Sequence, residues 1–399
     1  MRTPTPCCAT CCTWPRTTSP GCTTTASSDR RPHRPTPGRH RATHRPAGRV
    51  PRPVFDRLGE LGFLGLAVPE ARGGRGTEDF RFNAVLNEES SRRGLNAFSL
   101  SFTMQNDVAL PYLLDLCTEE QRARWLPGVA SGALVLGIAM SEPRAGSDLA
   151  GVGTRATRDG DVYRVSGSKT FITNGLNADL VITVVRTGTA GTHGDLSLLV
   201  VENGAEGYTR GRTLHKMGMK AQDTCELFFD DAVVPVANRL GEEGQGFRYL
   251  TRNLAQERLS IAIGNVASAR GVVDRTLAYV TQREAFGQAV GTFQNSRFSL
   301  ADCATEVEVT QAFVDGCLAA HVRSELWPQD AAMVKLWASE SLGRVVDACL
   351  QLHGGYGYVH DFPIARDYAD ARIARIYGGT SEIMREIIGR GLGLGEKRS

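Results

Sequence analysis

Along these 399 residues the spacing of apolar side chains changes twice, and that change limits the fold more than any single motif does. Residues 52–135 read as helices, with Val54, Leu58, Leu61 and Leu64 at helical steps. From about 136 to 235 the period drops to two. The segments 161–175 (DVYRVSGSKTFITNG), 179–185 (DLVITVV), 196–202 (LSLLVVE) and 225–231 (CELFFDD) read as strands parted by Gly, Asn and Asp turns. Helical spacing then returns over 243–282, 292–322, 328–352 and 381–390. Helices, then strands, then helices predict an α+β protein, with a small antiparallel β domain (136–240) between two helical domains (47–135 and 241–394). Punctuation agrees: Pro69 and Gly73-Gly74 mark a break and a turn, and Thr118 to Gln121 forms a capping box ahead of Trp125 and Leu126.

Charge and composition exclude several functions. A net charge of +3 argues against a nucleic-acid footprint, which concentrates basic side chains on one face. No apolar run approaches the roughly 18–20 residues of a membrane helix. Of 10 Cys, Cys117, Cys225, Cys303, Cys317 and Cys349 stand singly in apolar patterns, as reduced core thiols do in a cytosol-like compartment. Residues 1–46 differ from the rest. They contain no Leu, Ile, Val or Phe, and Asp29 is their only acid, so no core can form and disorder is expected. Their CCATCC lacks a second ligand cluster at metal-binding spacing. The stretch has the Arg-rich, acid-poor character of a transit segment without the apolar face, and a shifted reading frame ahead of Arg49 accounts for it better. With five Lys among 46 basic residues, the coding DNA is expected to be GC-rich, and its shifted frames would be rich in Arg, Pro and Thr.

No GxGxxG stands between a strand and a helix, which argues against a nicotinamide site. GIAMSEPRAGSD (137–148) instead gathers small and hydroxyl residues at the switch from helix to strand. KTFITNG (169–175) sets Phe171 and Thr173 two apart, on one strand face. Alone, the first reads equally as a tight turn and the second as a half-buried strand. With REAFGQAVGTFQ (283–294), QLHGGYGY (351–358) and the tail RIYGGTSEIM (375–384), they resemble the acyl-CoA dehydrogenases. The resemblance spans about 49–394, with all five segments in the family's order, and is nearest the long-chain branch, then the isovaleryl-CoA enzymes.

That resemblance implies an N-terminal helical domain, a β domain and a C-terminal four-helix bundle, assembled as a homotetramer around FAD. By the same likeness Met140 and Ser141 contact the flavin ring, and Phe171, Ile172 and Thr173 flank it. Ser147 lies near the FAD pyrophosphate and the near arm of CoA. Arg283, Phe286, Phe293 and Gln294 reach the FAD of a neighbouring subunit, with Gln351, Leu352, His353, Gly354 and Gly355 on its adenosine side. Thr380 and Glu382 bind FAD within one subunit. The substrate is an acyl-CoA thioester, the electron acceptor an electron-transfer flavoprotein, and the location cytoplasmic, or the mitochondrial matrix if residues 1–46 are a transit segment.

Such a reaction removes an α-proton, which needs a carboxylate in a dry pocket. In most of the family that carboxylate follows the Tyr of the tail, where this chain has Gly378. Gly378 keeps only a backbone N–H, able to donate to the thioester oxygen. The long-chain and isovaleryl branches carry the base on a C-domain helix, which directs attention to LAQERLSIA (254–262). Leu250, Leu254, Glu257, Ile261, Gly264, Ser268 and Val272 follow steps of three or four, so Glu257 stands on an apolar face. By pattern alone it is equally the catalytic base or half of a structural ion pair, with Arg258 or another Arg; the resemblance and the vacancy at Gly378 favour the base. Arg258 and Arg390 match family positions near the substrate, although a surface Arg is also favoured at a helix C-terminus. His215 and Lys216 read as β-domain surface, and Arg366, Asp367, Asp370 and Arg372 as a surface or subunit ion-pair network. Arg144 replaces the family's usual Gly. Two other functions share the fold: a flavin oxidase or monooxygenase, and a non-catalytic flavin or acyl-CoA binder.

Overall fold

The computed structural model describes residues 48–394, so the readings for residues 1–46 lie outside it. Five helices come first: α1 (Arg52–Glu60), α2 (Arg81–Arg92), α3 (Asn96–Thr103), α4 (Leu110–Leu116) and α5 (Glu119–Ser131). A π-helical turn, Met104–Ala109, joins α3 to α4. The capping box forms as expected. Thr118 N donates to Gln121 Oε1 at 2.9 Å, and Gln121 N donates to Thr118 Oγ1 at 3.3 Å. Trp125 and Leu126 are then turned into the core.

The strands are β1 (Leu136–Ala139), β2 (Arg155–Asp159), β3 (Val162–Thr173), β4 (Leu180–Arg186), β5 (Leu196–Glu202), β6 (Tyr208–Thr213), β7 (Thr224–Pro235) and β8 (Arg239–Leu240). Seven run in the order β6-β7-β3-β2-β4-β5-β8, and β1 also pairs with β4. The β1–β4 ladder is parallel, so the sheet is mixed where an antiparallel one was expected. The reason lies in the route of the chain: β1 enters from α5 and reaches β4 only through the β2–β3 hairpin. Strand β4 is buried along its whole length because both faces are covered. Leu180, Ile182 and Val184 pack towards the N-terminal helices, and Val181 and Val185 pack into the opposite face.

The C-terminal helices are α6 (Gly246–Gln282), α7 (Gln294–Val322), α8 (Pro328–His353), α9 (Pro363–Ala371) and α10 (Ser381–Gly391). A short hairpin, β9 (Glu284–Ala285) and β10 (Gln288–Ala289), separates α6 from α7. Helix α6 is central and packs on α2, α7 and α8. The expectation of one apolar face is too narrow. Leu259, Ala262, Ile263, Val266 and Ala269 are buried as well, so the helix is enclosed on every side near Glu257. At Gly271 a Cβ would stand 2.0 Å from the Arg92 carbonyl oxygen, so only glycine admits this approach of α2. No helix among the described residues is long and apolar enough to cross a membrane.

Two surface readings are corrected. Asp367 and Asp370 are buried: Asp367 receives Arg275 at 2.7 Å, and Asp370 accepts the Met219 N–H, tying α9 to the loop before β7. Lys216 is half-buried and donates to Thr224 Oγ1 at 2.9 Å, whereas His215 is exposed. Asp367, Asp370 and Lys216 have each been drawn inward by a specific partner.

Candidate active site

Glu257 sits on α6 with its carboxylate closed off from water, its side chain among the few buried acids of the described residues. Its partner is not an arginine. The Tyr112 hydroxyl donates to Glu257 Oε1 at 3.0 Å from a fully buried position on α4. Burial pushes the Glu257 carboxyl up to about 7, while the Tyr112 bond and the Arg258 charge pull the other way. The structural ion pair is therefore not what this site contains. A buried carboxylate ionising near neutrality is suited to taking up a proton. Replacing Tyr112 with Phe removes a donor to the charged form, so Glu257 should ionise at higher pH; infrared or carbon-13 titration of the carboxyl would check this. An unchanged ionisation would mean that the bond does not act on the carboxylate.

One helical turn on, Ile261 meets the Gly378-Gly379 turn. Both glycines are left-handed, with φ of 63° and 93°. A Cβ at Gly378 would lie 2.3 Å from Ile261 Cδ1. The left-handed backbone favours glycine at position 378, and a side chain there would have to swing the end of Ile261 aside. The turn leads into α10, where Thr380 Oγ1 accepts the Ile383 N–H at 3.3 Å as N-cap. Its underside rests on α8: Lys335, fully buried, donates to the Gly379 carbonyl at 2.7 Å. Arg258 is also buried beside Glu257, and its Nε has no hydrogen-bond partner.

A second cluster forms where α6 ends. Arg283, Gln351, Leu352, His353, Gly354 and Gly355 line a cavity of about 640 Å³. A cation, an amide and two open glycine backbones make a donor set that fits the phosphate and adenosine end of a dinucleotide. The Arg283 guanidinium lies 5.4 Å from the Tyr356 ring centre, and Phe286 packs edge-on to Phe293 at 6.2 Å. Phe286 nonetheless projects almost wholly into solvent. Gln294 is the first residue of α7. None of Met140, Ser141, Ser147, Phe171, Thr173, Thr380 or Glu382 lines that cavity.

At the β domain, Phe171 is exposed and left-handed, at a register shift between β3 and β7 that turns its ring outward. The expectation that Phe171 and Thr173 share one face of a regular strand is revised by this bulge. Ile172 packs into the β core, so its side chain is not free to meet a ligand. Met140 and Ser141 are half-buried, while Ser147 and Arg144 are exposed in the following loop. This loop is held from below by a pair the sequence did not disclose. Lys169 Nζ lies 2.8 Å from Glu142 Oε1 and 3.2 Å from the Met140 carbonyl, and Glu142 accepts the Gly153 and Thr154 N–H groups at 2.7 and 3.0 Å. Arg390 is exposed and ion-paired to Glu386 on its own helix at 2.5 Å, and Glu382 is exposed too.

Tyr112 and Lys335 were also missed. One signal was available: Lys335 interrupts the otherwise apolar AAMVKLWA, in a chain with very few lysines. For Tyr112, within ALPYLL, nothing in the sequence separated a hydroxyl with a task from an ordinary buried ring.

Three family signatures match in order: acyl-CoA dehydrogenase N-terminal domain over residues 36–133, middle domain over 137–232, and C-terminal domain over 244–393. The chain is 45% identical to the mouse long-chain specific acyl-CoA dehydrogenase, mitochondrial, over 88% of this chain and 81% of that protein. It is 36% identical to isovaleryl-CoA dehydrogenase, mitochondrial, of Pongo abelii, over 85% and 80%. Its fold superposes with a TM-score of 0.84 on an acyl-CoA dehydrogenase from Geobacillus kaustophilus at 45% identity, covering 87% of this chain and 91% of that one.

Proposed function

The chain belongs to the acyl-CoA dehydrogenase family of oxidoreductases, and on that premise we propose that it converts a medium- or long-chain fatty acyl-CoA into the trans-2-enoyl-CoA, with FAD as cofactor. The observation that carries this reading is Glu257: a buried carboxylate raised to about 7, one turn from a glycine turn with an available N–H. Glu257 takes the α-proton. The electron pair of the broken Cα–H bond moves toward the carbonyl and then into the new Cα=Cβ bond as the β-hydrogen leaves with its own pair. The Gly378 N–H stabilises the charge on the thioester oxygen. FAD, when bound, supplies the acceptor for the departing hydride. Arg283, Gln351 and the 354–355 backbone would hold its adenosine half. Met140, Ser141, Phe171, Thr173, Thr380 and Glu382 would hold the remainder. Because the two groups line separate places in one chain, we place each flavin between two subunits of a homotetramer, with an electron-transfer flavoprotein as acceptor. The five cysteines of the described residues are buried and free, which suits a reducing compartment such as the cytoplasm.

The test is an anaerobic panel of saturated acyl-CoA thioesters with purified yellow protein. We expect flavin bleaching that is strongest for medium or long chains; no bleaching at any length would defeat the proposal. Oxygen uptake with stoichiometric peroxide, in place of transfer to a flavoprotein acceptor, would point to the oxidase.

A further inference from the structure

The neighbourhood of Glu257 holds buried positive charge on Arg258 and Lys335, on which nearby carboxylates act without forming a direct salt bridge. Arg258 is enclosed and its Nε is unpartnered. Lys335 is fully enclosed, and its ammonium spends a hydrogen bond on a backbone carbonyl, Gly379 O, at 2.7 Å. The charged groups acting on Lys335 are Arg258 on α6, Glu340 on its own helix and Glu382 on α10. Both acids are engaged elsewhere: Glu340 with Arg375 at 3.1 Å and the Ser381 hydroxyl at 2.8 Å, Glu382 with Arg385 at 4.0 Å. A buried ammonium without a counter-ion is costly, and a fold keeps one where an anion forms or a backbone must be held.

The geometry satisfies both conditions at one place. Gly378 and Gly379 are left-handed and have no side chains with which to hold the turn. Thr380 caps the next helix, and Ile261 closes one side. Ser381, just beyond the turn, is tied to Glu340, and the tether on the glycines themselves is the Lys335–Gly379 bond. We propose that Lys335 is the positioning residue of this turn: it pins the Gly379 carbonyl so that the Gly378 N–H faces the thioester oxygen, and its charge favours the negative charge that collects there as Glu257 takes the α-proton. This inference rests on the acyl-CoA reading above. Burial and the Arg258 charge bring the Lys335 ammonium down to about 8, close enough to neutrality for its charge state to be read in a pH profile.

The test uses full-length, flavin-loaded protein and a 3-thiaacyl-CoA, whose sulfur replaces the β-carbon and leaves no β-hydrogen to transfer. Exchange of its α-hydrogen with deuterium from solvent, followed by NMR, isolates the proton step from flavin reduction. Lys335→Met, which keeps length and apolarity, should slow exchange at neutral pH by roughly 30-fold, less than the roughly 10²–10³-fold of losing an oxyanion donor itself. The affinity for the analogue should change far less. Lys335→Gln, a donor without charge, should fall between. The wild-type rate should rise as Glu257 ionises and fall again above about pH 8 as Lys335 loses its proton, and Lys335→Met should lack that alkaline limb. Wild-type exchange matched by Lys335→Met would overturn this inference alone. Absence of both exchange and bleaching in the wild type would overturn the activity, and this inference with it. Should Lys335→Met not fold, a wild-type rate flat across the alkaline range would overturn the proposal by itself.

Discussion

With Glu257 changed to Gln, the protein should remain folded and yellow while acyl-CoA no longer bleaches it. The expected loss in the rate of flavin reduction is on the order of 10³-fold, as for removal of a positioned general base. Glutamine keeps an oxygen to accept the Tyr112 hydroxyl but cannot take a proton. Bleaching at the wild-type rate would remove Glu257 from the mechanism. The same variant carries a stability signature. A carboxyl raised to about 7 in the fold binds protons more tightly there than in the unfolded chain. Wild-type stability therefore declines relative to Glu257→Gln as pH rises from about 4.5 to about 7, by at most ~1.4 kcal/mol per unit. Chemical denaturation of both proteins at mildly acidic and mildly basic pH would show the gap widening toward the basic side. The active wild type should be the less stable of the two where it is most active.

Changing Glu142 to Gln should have the largest effect on stability. Lys169 is fully enclosed, and this carboxylate is its counter-ion. Removing one partner of a buried pair costs about 3–5 kcal/mol, because the other charge is stranded. In a protein of this size that corresponds to a fall in Tm of roughly 4–6 °C. The expected sign with pH is also definite. The Lys169 charge and the hydrogen bonds from Thr154 and Gly153 outweigh burial and hold the Glu142 carboxyl below the usual carboxylate range. Its contribution is thus present at neutral pH and lost as pH falls through that lowered value. The loop carrying Met140 and Ser141 loses its support as well, so flavin should bind more weakly. A Tm within a degree or two of wild type would show that the pair does not hold this loop.

The helical and strand segments were legible because both periodicities are strong. Helix α6 was expected over 243–282 and runs from 246, and β5 spans the expected 196–202. The parallel β1 contact was not legible, since four residues carry no sign of strand direction. Glu257 was legible because a charge on an apolar run is anomalous whatever the fold. Its true partner was not, because Tyr112 comes from 145 residues earlier and looks like packing. Ile172 shows the limit of motif reading: it sits inside a flavin-like segment, yet strand alternation sends its side chain into the core. Lys169 and Lys335 share another limit. Each is tethered to a backbone carbonyl far off in the sequence, and no residue pattern specifies such an acceptor.

The contact between Ile261 and the empty side of Gly378 has a consequence for substitution. Two placements of a base, on α6 or on the tail, are in principle interchangeable in this architecture. Here the methyl end of Ile261 stands 2.3 Å from where a side chain at 378 would begin, on a residue already left-handed. A lone Gly378→Glu change would therefore carry the strain of a left-handed backbone and would have to swing the end of the Ile261 side chain aside. Trimming Ile261 relieves the second of these costs and leaves the first. The two positions are thus coupled neighbours, and the cost of a change at one depends on which side chain stands at the other.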